Sequence, residues 1–156
     1  MAIVQGATTA FMQALLSGQV NFYHTGPSHR YRIALYNANA NLNQTTTIYT
    51  TTNEITGTGY TAGGKDLVIS VEPTVDNQYD TAYVSFANAV WNPASFTARG
   101  ALVYDTDTLL ACFILNFGSD KTCNNTFTVQ FPAATSTSAI LSISSYTSAN
   151  IISSGD

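Results

Sequence analysis

From Tyr31 onward the chain alternates apolar and polar residues with a period of two. "YRIALYN" sets Tyr31, Ile33 and Leu35 on one face and Arg30, Arg32 and Ala34 on the other, which predicts a strand. The pattern returns in "DLVISVEP" (66–73), where Pro73 is expected to stop the strand. It returns again in "TAYVSFA" (81–87) and in "SFTARGALVYD" (95–105), with Gly100 at an expected bulge. "TTTIYTTT" (45–52) is β-branched and predicts a further strand. "LLACFILNF" (109–117) opens on an unbroken apolar run and predicts a strand buried on both faces, in the middle of the domain. "TFTVQFP" (126–132) and "SAILSIS" (138–144) complete the set. Polar turn signals separate these runs: "NANANLN", "GTGYTAGG", "VDNQYD", "WNP", "DTDT" and "GSDKTCNN".

Only the beginning of the chain departs from this period. Ala7, Ala10, Phe11, Ala14 and Leu15 recur at helical spacing and form one apolar stripe. Thr8 or Thr9 is placed to cap the start, and Gly18 suits the left-handed position after the end. So short a helix is marginal alone and must pack, on its own domain or on a partner. The expectation is therefore an all-β, single-domain β-sandwich of jelly-roll type over 1–156. Its N-terminal segment, 1–20, carries the short helix, and a Ser-rich tail covers 144–156.

Composition narrows the functional classes. Of 156 residues only 9% are charged, against roughly 25% in ordinary soluble domains. Thr, Ser and Asn stand where Lys and Glu would be expected. Such a surface implies cover by neighbours, in an oligomer or an assembly. The net charge is −4, and only Arg30 and Arg32 cluster among the five basic residues, which disfavours nucleic-acid binding. The N-terminus lacks the pattern of a secretory signal, and no apolar run has the roughly 20 residues of a membrane helix. Cys112 and Cys123 could form one bridge between adjacent strands; two free thiols fit a chain made in a reducing cytoplasm better. Asn43-Gln44-Thr45 and Asn124-Asn125-Thr126 spell glycosylation sequons, but in a chain this rich in Asn and Thr they read as chance.

The candidate chemistry is weighed against simpler readings. From Gly59 to Asp66 the spelling is one residue short of a phosphate-binding loop, because Asp66 stands where Ser or Thr would hold Mg²⁺. Polar residues precede it and a strand follows, so the glycines read as a wide turn instead. His24 and His29 flank Gly26-Pro27 without nearby acids or cysteines and read as solvated, not as zinc ligands. Asp76, Asp80, Asp105, Asp107 and Asp120 are the acid candidates, and Asp105 and Asp107 fall in a turn where Asp bonds its own backbone. Dispersed carboxylates leave a hydrolase as a weak alternative. No G-x-S-x-G elbow is present. Catalytic, metal and cofactor residues are accordingly expected to be none.

Three segments carry a resemblance: "TTNEITGTGYTAGGKDL" (51–67), "VWNPASFTARGALVYD" (90–105) and "NFGSDKT…FTVQFPA" (116–133). Their order and spacing resemble a group of small virion proteins of tailed bacteriophages. The resemblance implies a structural component of the particle, above all a capsid cement or decoration protein. On that reading the partners are the major capsid protein and copies of itself, with neither nucleic acid nor membrane. The location would be the capsid surface, after synthesis in the host bacterial cytoplasm. A tail, collar or fibre component that binds a receptor or glycan is the alternative, motivated by the Tyr, Asn and Trp91 content.

Overall fold

The computed structural model describes residues 2–23 and 30–145. His24, His29 and the tail beyond Ser145 lie outside the described residues.

The N-terminal helix forms where its stripe predicts. After the two-residue strand β1 (Gly6–Ala7), α1 spans Thr9–Leu16. The Thr8 hydroxyl accepts the Phe11 amide at 3.0 Å and donates to the Ala111 carbonyl at 2.6 Å, so one residue caps the helix and ties it to the sheet. Gly18 follows at φ +70, and the Gln19 amide closes on the Ala14 carbonyl. Phe11 and Ala14 are buried, whereas Met12 and Leu16 face outward.

The all-β class is observed. β2 (Tyr31–Tyr36), β3 (Lys65–Asp66), β7 (Phe96–Asp105) and β8 (Ala111–Cys123) join β1 in a five-stranded sheet of order β1-β8-β7-β2-β3. β4 (Ile69–Asp76), β5 (Thr81–Phe86) and β10 (Leu141–Ser144) form a three-stranded sheet of order β10-β5-β4. β6 (Ala89–Trp91) pairs with β9 (Phe127–Val129). Every named ladder is antiparallel. Sheets of five, three and two strands do not reproduce the equal pair of a jelly roll.

Alternation along the strands builds a core on each face of the large sheet. Tyr31, Ile33, Leu35, Val103 and Phe113 point into the larger core. Across it lie Phe11 of α1, Val84 and Phe86 of β5, and Trp91 and Phe127 of the two-stranded sheet. On the opposite face Ala34, Tyr36, Leu102, Tyr104 and Ile114 pack against Ile3, Ala40 and Leu42. Strands buried on both sides explain why "LLACFIL" is apolar without a break. Among the described residues no helix is long and apolar enough to cross a membrane.

Three expectations are corrected. Residues 45–52 form no strand beyond an isolated bridge from Ile48 to Leu110. The segment opens on side-chain bonds that replace a ladder: Asn43 Oδ1 accepts from the amide and the hydroxyl of Thr45, and the Thr46 hydroxyl accepts the Asn43 amide. Pro73 does not stop β4, because β4 is an edge strand and the proline falls inside a register shift between Val71 and Thr74. "GSDKTC", read as a turn, is the polar second half of β8, and its Thr122 and Cys123 pair with Thr97 and Phe96. The strand expected to be buried on both faces is found as the first part of β8, inside the large sheet between β1 and β7 with residues 111–114 buried. The bulge expected at Gly100 is present as a register shift between Ala98 and Gly100.

Candidate functional site

The glycine-rich stretch is a turn held by one carboxylate. Glu54 Oε2 accepts the Tyr49 phenol at 2.6 Å, while Oε1 accepts the Tyr60 phenol at 2.6 Å and the Gly63 amide at 2.7 Å. Tyr60 in turn accepts the Leu35 amide of β2 at 2.9 Å. Tyr104 donates to the Gly63 carbonyl at 2.7 Å and stacks on Tyr49 with ring centroids 4.5 Å apart. Arg32 donates to the Gly64 carbonyl at 3.0 Å and pairs with Asp66. Burial, then the bond to Glu54, pushes the Tyr49 and Tyr60 phenols above their ordinary range. Both stay protonated donors at neutral pH.

Backbone approach dictates the glycines. A Cβ on Gly64, at φ +75, would sit 1.8 Å from the Ile33 carbonyl oxygen. One on Gly59, at φ +81, would sit 2.0 Å from that of Pro93. No side chain fits at either place. Amides that a phosphate loop would turn toward an anion are spent inside the turn, Gly63 on Glu54 and Gly64 on the Thr61 carbonyl, and Asp66 is tied to Arg32.

The second and third resembling segments converge on this turn. The Ser95 amide bonds the Thr58 carbonyl, and Lys65 Nζ donates to the Val90 carbonyl while lying 5.5 Å from the centre of the Trp91 ring. Trp91, Phe96 and Phe127 meet pairwise with centroids 5.1 to 6.4 Å apart, and Tyr60 and Phe117 join their edges. Asp120 pairs with Arg99 across the β7–β8 irregularity. All three segments thus build one packed nest, with Trp91 only 5% exposed.

The remaining candidates are dispersed. Asp76 accepts the Ser136 hydroxyl at 2.6 Å and the Gln78 amide at 3.0 Å; the first of these holds its carboxyl below the usual range. Asp80 closes the β4–β5 turn at φ +48. Asp105 is fully buried and accepts the Asp107 amide at 2.8 Å, as the turn reading expects. Cys112 and Cys123 are free, buried and on the same strand, eleven positions apart. At about 3.3 Å per residue that separation is far beyond disulfide reach, so the bridge alternative is excluded. Burial, then nearby Asp105, pushes the Cys112 thiol up to about 12. Among the described residues no three His, Cys, Asp or Glu gather where a metal ion could sit.

Two surface features offer contact area. β1 covers only Phe113 and Ile114 of the outer edge of β8. Beyond that point a half-open groove of about 550 Å³ runs between β8 and β9, floored by Leu115, Phe117, Phe127, Val129 and Phe131, with Lys121 at its rim. The second feature is the outer face of α1, where Leu16 is 91% exposed. Sequence reasoning missed the role of Glu54. Its signal was present: Glu54 is the first acidic residue of the chain, followed by Tyr60, Gly63 and Gly64. Comparison with protein-family models, curated proteins and solved structures returns no match for this chain.

Proposed function

We propose that this chain is a non-enzymatic structural protein of a tailed-bacteriophage virion, a cement protein that binds across major capsid protein subunits on the head. One observation carries the reading. The three segments that resemble phage virion proteins are consumed in a single internal nest around Glu54, Trp91 and Phe127. What those segments specify is a scaffold, and function is left to the surface. That surface is poor in charge and exposes Leu16, Ile48 and Val75. Adhesion between subunits needs area and shape of this kind, not a reactive centre.

Trp91 lies inside the nest and offers the glycan-binding alternative no stacking platform, which leaves that reading to exposed tyrosines such as Tyr23 and Tyr79. Adding purified protein to heads that lack it, followed by sedimentation, tests the proposal. Saturable co-sedimentation with heads is expected. Binding to tails alone would transfer the protein to the tail or collar, and binding to neither would remove the virion reading.

A further inference from the structure

We propose that the outer edge of β9 is a strand-addition site, on which an extended segment of the capsid shell protein docks as a third strand beside β6 and β9. This rests on the cement reading above and names the surface used and the kind of segment it takes. β9 has β6 on one side and, among the described residues, no strand on the other. The Asn125 carbonyl accepts the Ala94 amide, and the Phe131 amide donates to Asn88 Oδ1. The odd residues of this stretch therefore turn their backbone groups toward the β6 side. Alternation turns those of Thr126, Thr128 and Gln130 the other way. There they border the groove of about 550 Å³, which follows residues 126–132 for about 23 Å. A sheet of two short strands is marginal, and a third strand completes it.

The open edge selects a polypeptide. A lipid or a sugar covers apolar side chains, but an extended chain alone offers amides and carbonyls at the spacing of a ladder. β4, also at an edge, is blunted by Glu72 and Pro73, whereas TFTVQF (126–131) holds neither charge nor proline. The facing rim of β8 is already served by side chains: Gln5 Oε1 accepts the Asn116 amide, and Asn116 Oδ1 accepts that of Gly118. The incoming strand thus pairs with β9 and sets alternate side chains on the floor of Phe117, Phe127 and Phe131.

Charge describes the donor. Lys121 is the one charged residue lining the groove, and it forms no ion pair among the described residues. A carboxylate on the incoming strand complements it. The open edges of this chain do not supply such a strand. Pro73 removes a donor from β4, and Asp66 of β3 and Asp120 of β8 are already held by Arg32 and Arg99. The donor is therefore a different chain, apolar at alternate positions and acidic where it passes Lys121. For a cement protein, the chain that lies beside every copy is the shell protein.

Two measurements on the full chain test this. The first adds a synthetic decapeptide of alternating Val and Thr with a single Glu, at about 1 mM, and follows amide hydrogen exchange residue by residue. Exchange at Thr126, Thr128 and Gln130 should slow at least about tenfold, while Phe127 and Val129, already paired with β6, stay unchanged. No slowing, or equal slowing along the strand, would overturn the site. The second measurement is co-sedimentation with heads. Thr128→Pro removes an outward amide and leaves the amides that face β6 in place. Lys121→Glu reverses the charge at the rim and keeps every backbone group. Each should weaken saturable binding at least about tenfold, and Lys121→Arg should keep it. If the peptide docks but heads bind both variants like the wild type, the shell protein is not the donor, and the proposal falls while the cement reading stands. If the peptide docks but the wild type ignores heads, the cement reading falls and takes the shell donor with it. Self-association that Thr128→Pro abolishes would give the edge to a second copy and overturn the proposal.

Discussion

Glu54 Oε1 accepts the Tyr60 phenol at 2.6 Å, and through Tyr60 the carboxylate reaches the backbone of β2 at Leu35. This bond joins the Tyr104, Arg32 and Lys65 contacts in coupling the turn, the sheet and the aromatic nest.

Replacing Glu54 with Leu removes acceptors from the Tyr49 and Tyr60 phenols and the Gly63 amide. Bonds to a charged acceptor contribute about 1.5–3 kcal/mol each when buried. Partial exposure of Glu54 lowers that, and the expected loss is about 2–3 kcal/mol in urea unfolding. Glu54→Gln, which keeps one carbonyl oxygen, should cost less.

Gly64→Ala and Gly18→Ala separate backbone conformation from contact. Both residues have positive φ, near +75 and +70. At Gly18 an added Cβ meets nothing within 4 Å, so the cost is the left-handed penalty of about 1–2 kcal/mol. At Gly64 it collides with the Ile33 carbonyl, and β2 and β3 must separate. A loss above about 3 kcal/mol, or failure to fold, is expected there.

Alkaline pH should destabilise the fold. The Cys112 thiol rises from 9.0 to about 12, and the Tyr31, Tyr36 and Tyr60 phenols rise from 10.0, chiefly through burial. Between the unfolded and folded values the native state binds more protons than the unfolded chain, so stability falls as pH increases. It should be level up to about pH 8.5 and then decline, each group adding up to about 1.4 kcal/mol per pH unit. Denaturation midpoints from pH 7 to 11 measure this. Ellman's reagent should find no reactive thiol in the native protein at pH 8 and both cysteines after unfolding.

Trp91 is the only tryptophan and reports on the nest directly. Buried against Phe96 and Phe127, it should emit at short wavelength, resist quenching by iodide, and shift to the red on unfolding. Trp91→Ala should cost about 3–5 kcal/mol. A red, readily quenched native emission would place the ring at the surface and reopen glycan stacking.

What could be read from the chain was local. A cap at Thr8 or Thr9 (the structure uses Thr8), Gly18 as terminator and the alternation of Tyr31, Ile33 and Leu35 act within a few residues, and each is found where expected. The misreadings come from context that only the tertiary structure supplies. Pro73 is tolerated because no strand lies outside β4 among the described residues. Thr45 and Thr46 turn β-branched side chains into hydrogen-bonding partners of Asn43, and propensity then decides nothing. The polar half of β8 carries no hydrophobic signal, because its strand character comes from pairing with β7. The Gly57–Asp66 stretch was legible as a turn. Glu54 was missed as its clasp although its partners Tyr49, Tyr60 and Gly63 lie within nine residues, because no periodicity or turn rule marks a carboxylate that bonds two phenols and an amide.

The central proposal is that the three phage-like segments build an internal scaffold and that a surface poor in charge cements a phage head. Cryo-electron microscopy of the intact particle tests it most directly. The account predicts density for this fold at repeated positions across capsid subunit junctions, with the Glu54 turn internal to each copy. Density confined to the tail, or a ligand bound within the Glu54 and Trp91 nest, would contradict it.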